Sequence, residues 1–227
     1  MEEFYHEEHE VREAKERKGR KYLPFVLSVA SSLFLSPLAH ADDLRALLGS
    51  GHAEGAYRYE ETRLLHLDHK SEPWRGSGML YLAPKRFVVE QQKPSRLLLA
   101  VEGSHLWLFD AAQGIRRTRT LGEVGEQGGP MAAMQAAMAG DADWLTARYG
   151  VESKRDGERW LLHLLPKGEE RRRLQSIEMH GRVGQGVSEV AVNMVNGDRI
   201  LWRLTPTAEK SLEAVVKKLI AEARRAG

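Results

Sequence analysis

Residues Arg96 to Leu121, RLLLAVEGSHLWLFDAAQGIRRTRTL, decide the architecture of this chain. Three short runs, Arg96–Val101, His105–Asp110 and Ile115–Leu121, are separated by Glu102-Gly103 and by a segment ending at Gly114. Runs rich in leucine, valine and aromatics, joined by short glycine-bearing turns, are antiparallel hairpins. In Leu97–Val101 and Leu106–Phe109 the hydrophobic residues occupy both alternating faces. A sheet with one wet face would alternate apolar with polar. Both sides of these strands must therefore be covered, or one side must line an enclosed apolar space.

The same pattern continues outward. Upstream candidates are Tyr57–Asp68, Gly78–Ala83 and Phe87–Gln92. Downstream are Gly150–Ser153, Arg159–Leu165, Arg173–His180, Val187–Val195 and Arg199–Thr205. Asn196-Gly197, between the last two, is the strongest hairpin signal, because both central positions of that turn want positive φ. Long crossover helices are missing between strands, which argues against a parallel sheet.

Helical patterns punctuate the strands. A short one spans Leu44–Leu48, and an alanine-rich one spans Pro130–Ala139, with proline in its first turn and Gly140 behind it. Asp141 or Asp143 then caps a second short helix through Arg148. From Thr207 to Ala226, Leu212, Val215, Val216, Leu219, Ile220 and Ala223 recur at helical spacing opposite a charged face, so this tail must lie on something apolar. Met131, Met134 and Met138 form one stripe on the alanine-rich helix. Methionine is flexible and polarizable, suited to an apolar surface with variable partners as well as to ordinary core packing.

The start of the chain bears on where it works. Arg17, Lys18, Arg20 and Lys21 lead into a 16-residue apolar stretch from Leu23 to Leu38, followed by Ala39-His40-Ala41. That order is the pattern of a cleavable secretory signal, with cleavage after Ala41. The stretch is short for a membrane-spanning helix, which needs about 20 apolar residues. The expectation is a periplasmic protein of three parts: leader 1–41, strand-rich domain 42–206 and tail helix 207–227. The leader holds 6 of the 34 Lys and Arg and 7 of the 32 Asp and Glu, leaving +3 on the remainder. So balanced a charge argues against a nucleic-acid partner. With no cysteine, disulfides, thiolate metal sites and cysteine catalysis are excluded.

Motifs for chemistry are missing. The chain has neither a phosphate-cradling glycine loop nor a Gly-x-Ser-x-Gly elbow. His66 and His69 stand three apart but end a strand, where solvated histidines are the plainer reading than a metal pair. Glu61 and Arg63 share one strand face and read as a structural ion pair rather than an acid–base couple. His163 reads as a residue flanking the core. The expectation is a protein that is not an enzyme and uses no cofactor or metal.

Several short motifs, in order, resemble the LolA-like lipoprotein carriers. They begin with Tyr59-x-Glu61-x-Arg63, Pro73 and Gly78-Met79-Leu80-Tyr81-Leu82-Ala83-Pro84. Pro94, Gly103-Ser104-His105-Leu106-Trp107-Leu108 and Gly140-Asp141 follow. The series ends with Trp160-Leu161-Leu162-His163-Leu164-Leu165-Pro166, Gly181 and Asn196-Gly197-Asp198. The resemblance, to a divergent branch found beside aryl-polyene genes, covers about residues 44–206. It implies a mainly β fold: an incomplete antiparallel barrel of about eleven strands, with helices forming a lid over an apolar cavity.

It further implies a monomeric carrier that binds acyl chains of a lipoprotein or other lipid-linked cargo. Such a carrier receives from an inner-membrane donor and delivers to an outer-membrane acceptor. On this map Met131, Met134 and Met138 sit on the lid, and Leu80, Leu82, Leu99, Trp107, Phe109, Trp160 and Leu162 line the cavity. The family arginine that latches the lid, just before the proline ending the second strand, is Ala83 here. An alternative on the same fold is an RseB-like sensor, for which the extra tail helix would offer a protein-binding element.

Overall fold

A computed structural model describes residues 41–48, 54–66, 72–83, 85–120 and 128–225; the leader up to His40, His69 and Pro84 lie outside them. The helix Ala41–Leu48 (α1) precedes six strands, Gly55–Leu64 (β1), Trp74–Ala83 (β2), Arg86–Lys93 (β3), Leu97–Glu102 (β4), His105–Asp110 (β5) and Ile115–Thr120 (β6). Helices Gly128–Met138 (α2) and Ala142–Arg148 (α3) follow. Then come Tyr149–Asp156 (β7), Arg159–Pro166 (β8), Leu174–Arg182 (β9), Gly186–Met194 (β10), Arg199–Thr207 (β11) and the helix Leu212–Arg224 (α4).

All eleven strands form one antiparallel sheet in the order β6-β5-β4-β3-β2-β1-β11-β10-β9-β8-β7. The first and last strands pair at its centre over nine residues, from Ala56 opposite Thr207 to Leu64 opposite Arg199. Strands β6 and β7 are left as the two edges. The chain between those edges carries α2 and α3, so the barrel is open where the helices enter. This is the incomplete eleven-stranded barrel that the resemblance implies.

Boundaries moved where pairing overrode local pattern. Strand β2 begins at Trp74, because Trp74 to Ser77 pair with Arg63 to Glu60. Strand β11 runs through Pro206-Thr207, which pair with Tyr57 and Ala56. The tail helix therefore starts not at the expected Thr207 but at Leu212, the first residue of its apolar series. Of the two candidate caps for α3, Asp141 is the one used: its Oδ1 accepts from the Trp144 backbone N–H at 3.0 Å.

The sheet has an apolar core on each face. On the inner face, Tyr57, Tyr59, Leu80, Leu82, Phe87, Val101, Leu106, Leu162, Ile177, Met179 and Val190 pack with buried residues of α1, α2 and α3. On the outer face, Ala56, Tyr81, Ala83, Val88, Leu98 and Ala100 pack against Val216, Leu219, Ile220 and Ala223 of α4. The doubly apolar strands and the amphipathic tail thus answer each other. Burying three large aliphatic side chains of α4 contributes roughly 1.5–3 kcal/mol each before entropic costs.

Arginines fix α4 at both ends. Arg86 forks onto Glu213 with contacts of 2.9 and 2.5 Å. Arg96 bridges Glu222, at 2.5 Å, and Glu90, at 2.8 Å. Arg224 pairs with Glu102 and lies 4.1 Å over the Trp107 ring. Arg116 lies 3.6 Å over Phe109 and donates to the Glu222 carbonyl at 2.7 Å. The hydrogen bond from Arg96 holds the Glu222 carboxyl below the usual glutamate range, and Arg86 does the same to Glu213. A carboxyl whose value is depressed in the folded state stabilises above its unfolded value, and that stability is lost as pH falls through the lowered one. The thermal midpoint should therefore drop as pH falls below the glutamate range near 4.3. In Glu222→Gln this drop should be shallower; an unchanged slope in a pH series of thermal melts would remove α4 as the acid-sensitive part.

Candidate functional site

The inner face is the surface the sequence nominates for a ligand. Leu80, Leu82, Trp160 and Leu162 are buried on it, with Met134 and Met138 of α2 packed above them. Leu99 and Met131 are partly buried against the same cluster. Trp107 and Phe109 are not there. They face outward, packed under α4, while Leu106 and Leu108 on alternate positions of β5 face inward. The expectation that they line the inner wall is corrected by the parity of the strand.

The apolar cavity is likewise not open. Helix α2 occupies the hollow itself, with Ala133 and Met134 fully buried. The void between α1, α2 and the sheet, lined by Leu47, Leu48, Ala137, Met138, Trp160, Gly186 and Val187, holds only about 10 Å³. That volume fits no more than one water. Tyr59, Leu80, Val89, Trp202 and Leu204 also meet without room for a water between them. The cause is composition: alanines let α2 approach the sheet closely, and methionines fill the remaining gaps. Gly181 contributes too, since a Cβ there would come 2.1 Å from the Trp160 ring, which lies across β9 at that point.

Helix α2 is bound by apolar contact rather than by charge. Its sequence from Gly128 to Met138 has no ionisable side chain. A polar contact at its start is the Tyr149 hydroxyl, which donates to the Gly129 carbonyl at 3.3 Å. Burial and the nearby Glu170 carboxylate push the Tyr149 hydroxyl value up, so it stays a donor at any physiological pH. At the far end Gly140, with φ of 72°, turns the chain out of the helix. Beside the start of α2 is an open depression of about 260 Å³ lined by Gly129, Pro130, Glu170, Arg173, Leu174 and Met194.

One polar corner interrupts the greasy inner face. Glu61 is buried there, and Arg63 Nε donates to its Oε1 at 2.5 Å. Trp202, the cross-strand partner of Glu61, has a buried indole N–H with no acceptor among the described residues. The Tyr59 ring leans on Trp202, and burial raises its hydroxyl value. Sequence reasoning found the Glu61–Arg63 pair but not Trp202; the alternation Ile200, Trp202, Leu204 against Leu201 and Arg203 carries the signal. Ala83, which precedes Pro84 at the end of β2, faces α4 rather than α2. His163 Nδ1 lies 3.1 Å from Glu152 on the outer face, clear of this site.

Neither a family model nor a curated protein matches this chain. Among solved structures, a DUF1329 family protein from Desulfovibrio piger aligns with a TM-score of 0.42 at 11% identity, over 73% of this chain and 90% of that one. An uncharacterized conserved protein from Thermus thermophilus gives 0.36 at 11% identity, over 76% and 90%. A domain from Vibrio parahaemolyticus named for outer membrane lipoprotein sorting gives 0.38 at 10% identity, over 78% and 97%. These likenesses are distant, and the fold stands on the strand pairing itself. No helix among the described residues is long and apolar enough to cross a membrane.

Proposed function

We propose that this chain is a non-enzymatic periplasmic carrier that accepts an acyl chain of a lipoprotein or other lipid-linked cargo in the place where α2 now lies, and carries it toward the outer membrane. The observation that supports this most is the contrast between its helices. Helix α4 is fixed to the outer face by directional arginine–carboxylate contacts. Helix α2 fills the inner face with an uncharged surface of alanine and methionine. Contacts of that kind can be exchanged for a hydrocarbon tail without leaving a charge unpaired. The resemblance to LolA-like carriers supports the same reading.

The energetics suit a carrier. Burying an acyl chain gains about 0.8 kcal/mol per methylene, so roughly ten methylenes supply about 8 kcal/mol. Undocking α2 offsets part of this, which leaves an affinity weak enough for release. The polar corner at Glu61 and Trp202 would receive the head of the cargo, with the indole N–H as donor. The sensor alternative loses its main support, because the apolar side of α4 is already buried against the sheet.

The test is displacement of a fluorescent long-chain fatty acid by unlabelled acyl cargo. Binding in the micromolar range is expected, with saturation at one equivalent. No binding up to the solubility limit of the probe would leave α2 as ordinary core and end the carrier reading.

A further inference from the structure

Leu64, Leu65, Ile115 and Val195 are the large hydrophobic side chains left exposed among the described residues, at 45%, 54%, 37% and 56%. Isolated cases are normal on a protein surface, but three of these four lie at the same end of the sheet. Leu64 lies opposite Arg199 in the β1–β11 pairing. The next residues of β1 reach the β10–β11 turn, where the His66 backbone N–H donates to Asp198 Oδ1 at 2.8 Å. Val195 opens that turn, and its own N–H donates to the Arg173 carbonyl at 2.8 Å. Ile115 stands apart, on the edge strand β6.

Among the described residues, arginines and a tryptophan lie near the three apolar side chains. Arg63 lies 4.4 Å over the Trp74 ring, and Arg75 and Arg199 are exposed beside them. Two nearby carboxylates are engaged within the protein: Glu61 by Arg63, and Asp198 by the His66 N–H and the Asn196 amide. Glu72 is exposed near the start of β2. Protruding aliphatic tips ringed by arginine and tryptophan match the boundary of a bilayer, where tips enter the acyl region and guanidinium groups meet phosphate.

We propose that this rim docks on an anionic membrane surface, with Leu64, Leu65 and Val195 entering the headgroup–acyl boundary and Arg75 and Arg199 meeting lipid phosphates. The rim adjoins, through Met194 and Arg173, the depression where α2 begins. The docked edge is thus the one at which a chain would pass to or from the bilayer. The inference does not rest on the carrier reading, since a rim that docks while no acyl chain binds the inner face would leave it intact.

The chain has no cysteine, so Val195→Cys or Leu65→Cys places a single environment-sensitive dye on the full-length protein. Vesicles of mixed phosphatidylcholine and phosphatidylglycerol should shift either dye to the blue, and pure phosphatidylcholine should do so at least about tenfold more weakly. Arg75→Glu with Arg199→Glu should cut partitioning by about tenfold. A dye at Ile115→Cys should stay in water, which separates rim docking from adsorption through another part of the chain. The inference is overturned if the Val195 dye is silent with both vesicles, or if the Ile115 dye shifts equally. It is also overturned if the shift follows protein concentration without lipid, which would make the rim a contact between copies, or if only an added envelope protein causes it.

Discussion

Replacing Met134 with alanine should make the protein less stable and a better acyl binder at the same time. Met134 is fully buried between α2 and the inner face of the sheet. Truncating a buried methionine costs about 2–5 kcal/mol, because the cavity it leaves closes only in part. That cost falls on the form with α2 docked. A ligand that takes the place of α2 no longer has to displace the methionine, so its apparent affinity rises as the docked form weakens. If about 1.4 kcal/mol of the loss belongs to α2 docking, binding tightens about tenfold. Urea denaturation and titration with a fluorescent fatty acid read the two effects separately. Were Met134 only core, stability would fall with no gain in binding.

Charging the outer face should cost stability without changing acyl binding. Val216→Asp places a carboxylate at a fully buried position under α4, among Val88, Leu98 and Ala100. Burying an unpaired charge costs several kcal/mol, enough to undock α4 or to unfold a marginal domain. Loss of about 3–5 kcal/mol in urea denaturation is expected, with exposed apolar surface reported by a hydrophobic dye. Any molecules that remain folded should still bind an acyl probe, because the altered position lies across the sheet from α2. Trp107→Asp belongs with this variant: its damage should run through Arg224 and α4 rather than through the inner face.

Trp107 also shows where the sequence stops being legible. Alternation in β5 places Leu106 and Leu108 on one side and Trp107 and Phe109 on the other, but with both sides apolar nothing local says which is inner. The answer lies in long-range partners, Arg116 on the neighbouring strand and Arg224 on the tail helix. The strands themselves could be read, because glycine turns and short leucine- and valine-rich runs are local signals. So could the need for a cover on both faces, which the amphipathic tail supplies. The end of β11 could not, since Pro206-Thr207 read as a helix start and yet pair with Tyr57 and Ala56. Nor could the filled hollow: three methionines among alanines suit a lid above a space and a plug within it equally well. The rim at Leu65 and Val195 was hidden for a further reason, as its members are 130 residues apart and meet only through the turn at Asp198.

The central claim is that α2 and an acyl chain compete for one surface. Amide hydrogen exchange, with and without a long-chain fatty acid, tests it most directly. Bound ligand should strip protection from the amides of Met131 to Met138 and leave those of Val216 to Ala223 as slow as before. A ligand that binds while α2 keeps its protection, or that leaves every amide unchanged, would contradict it.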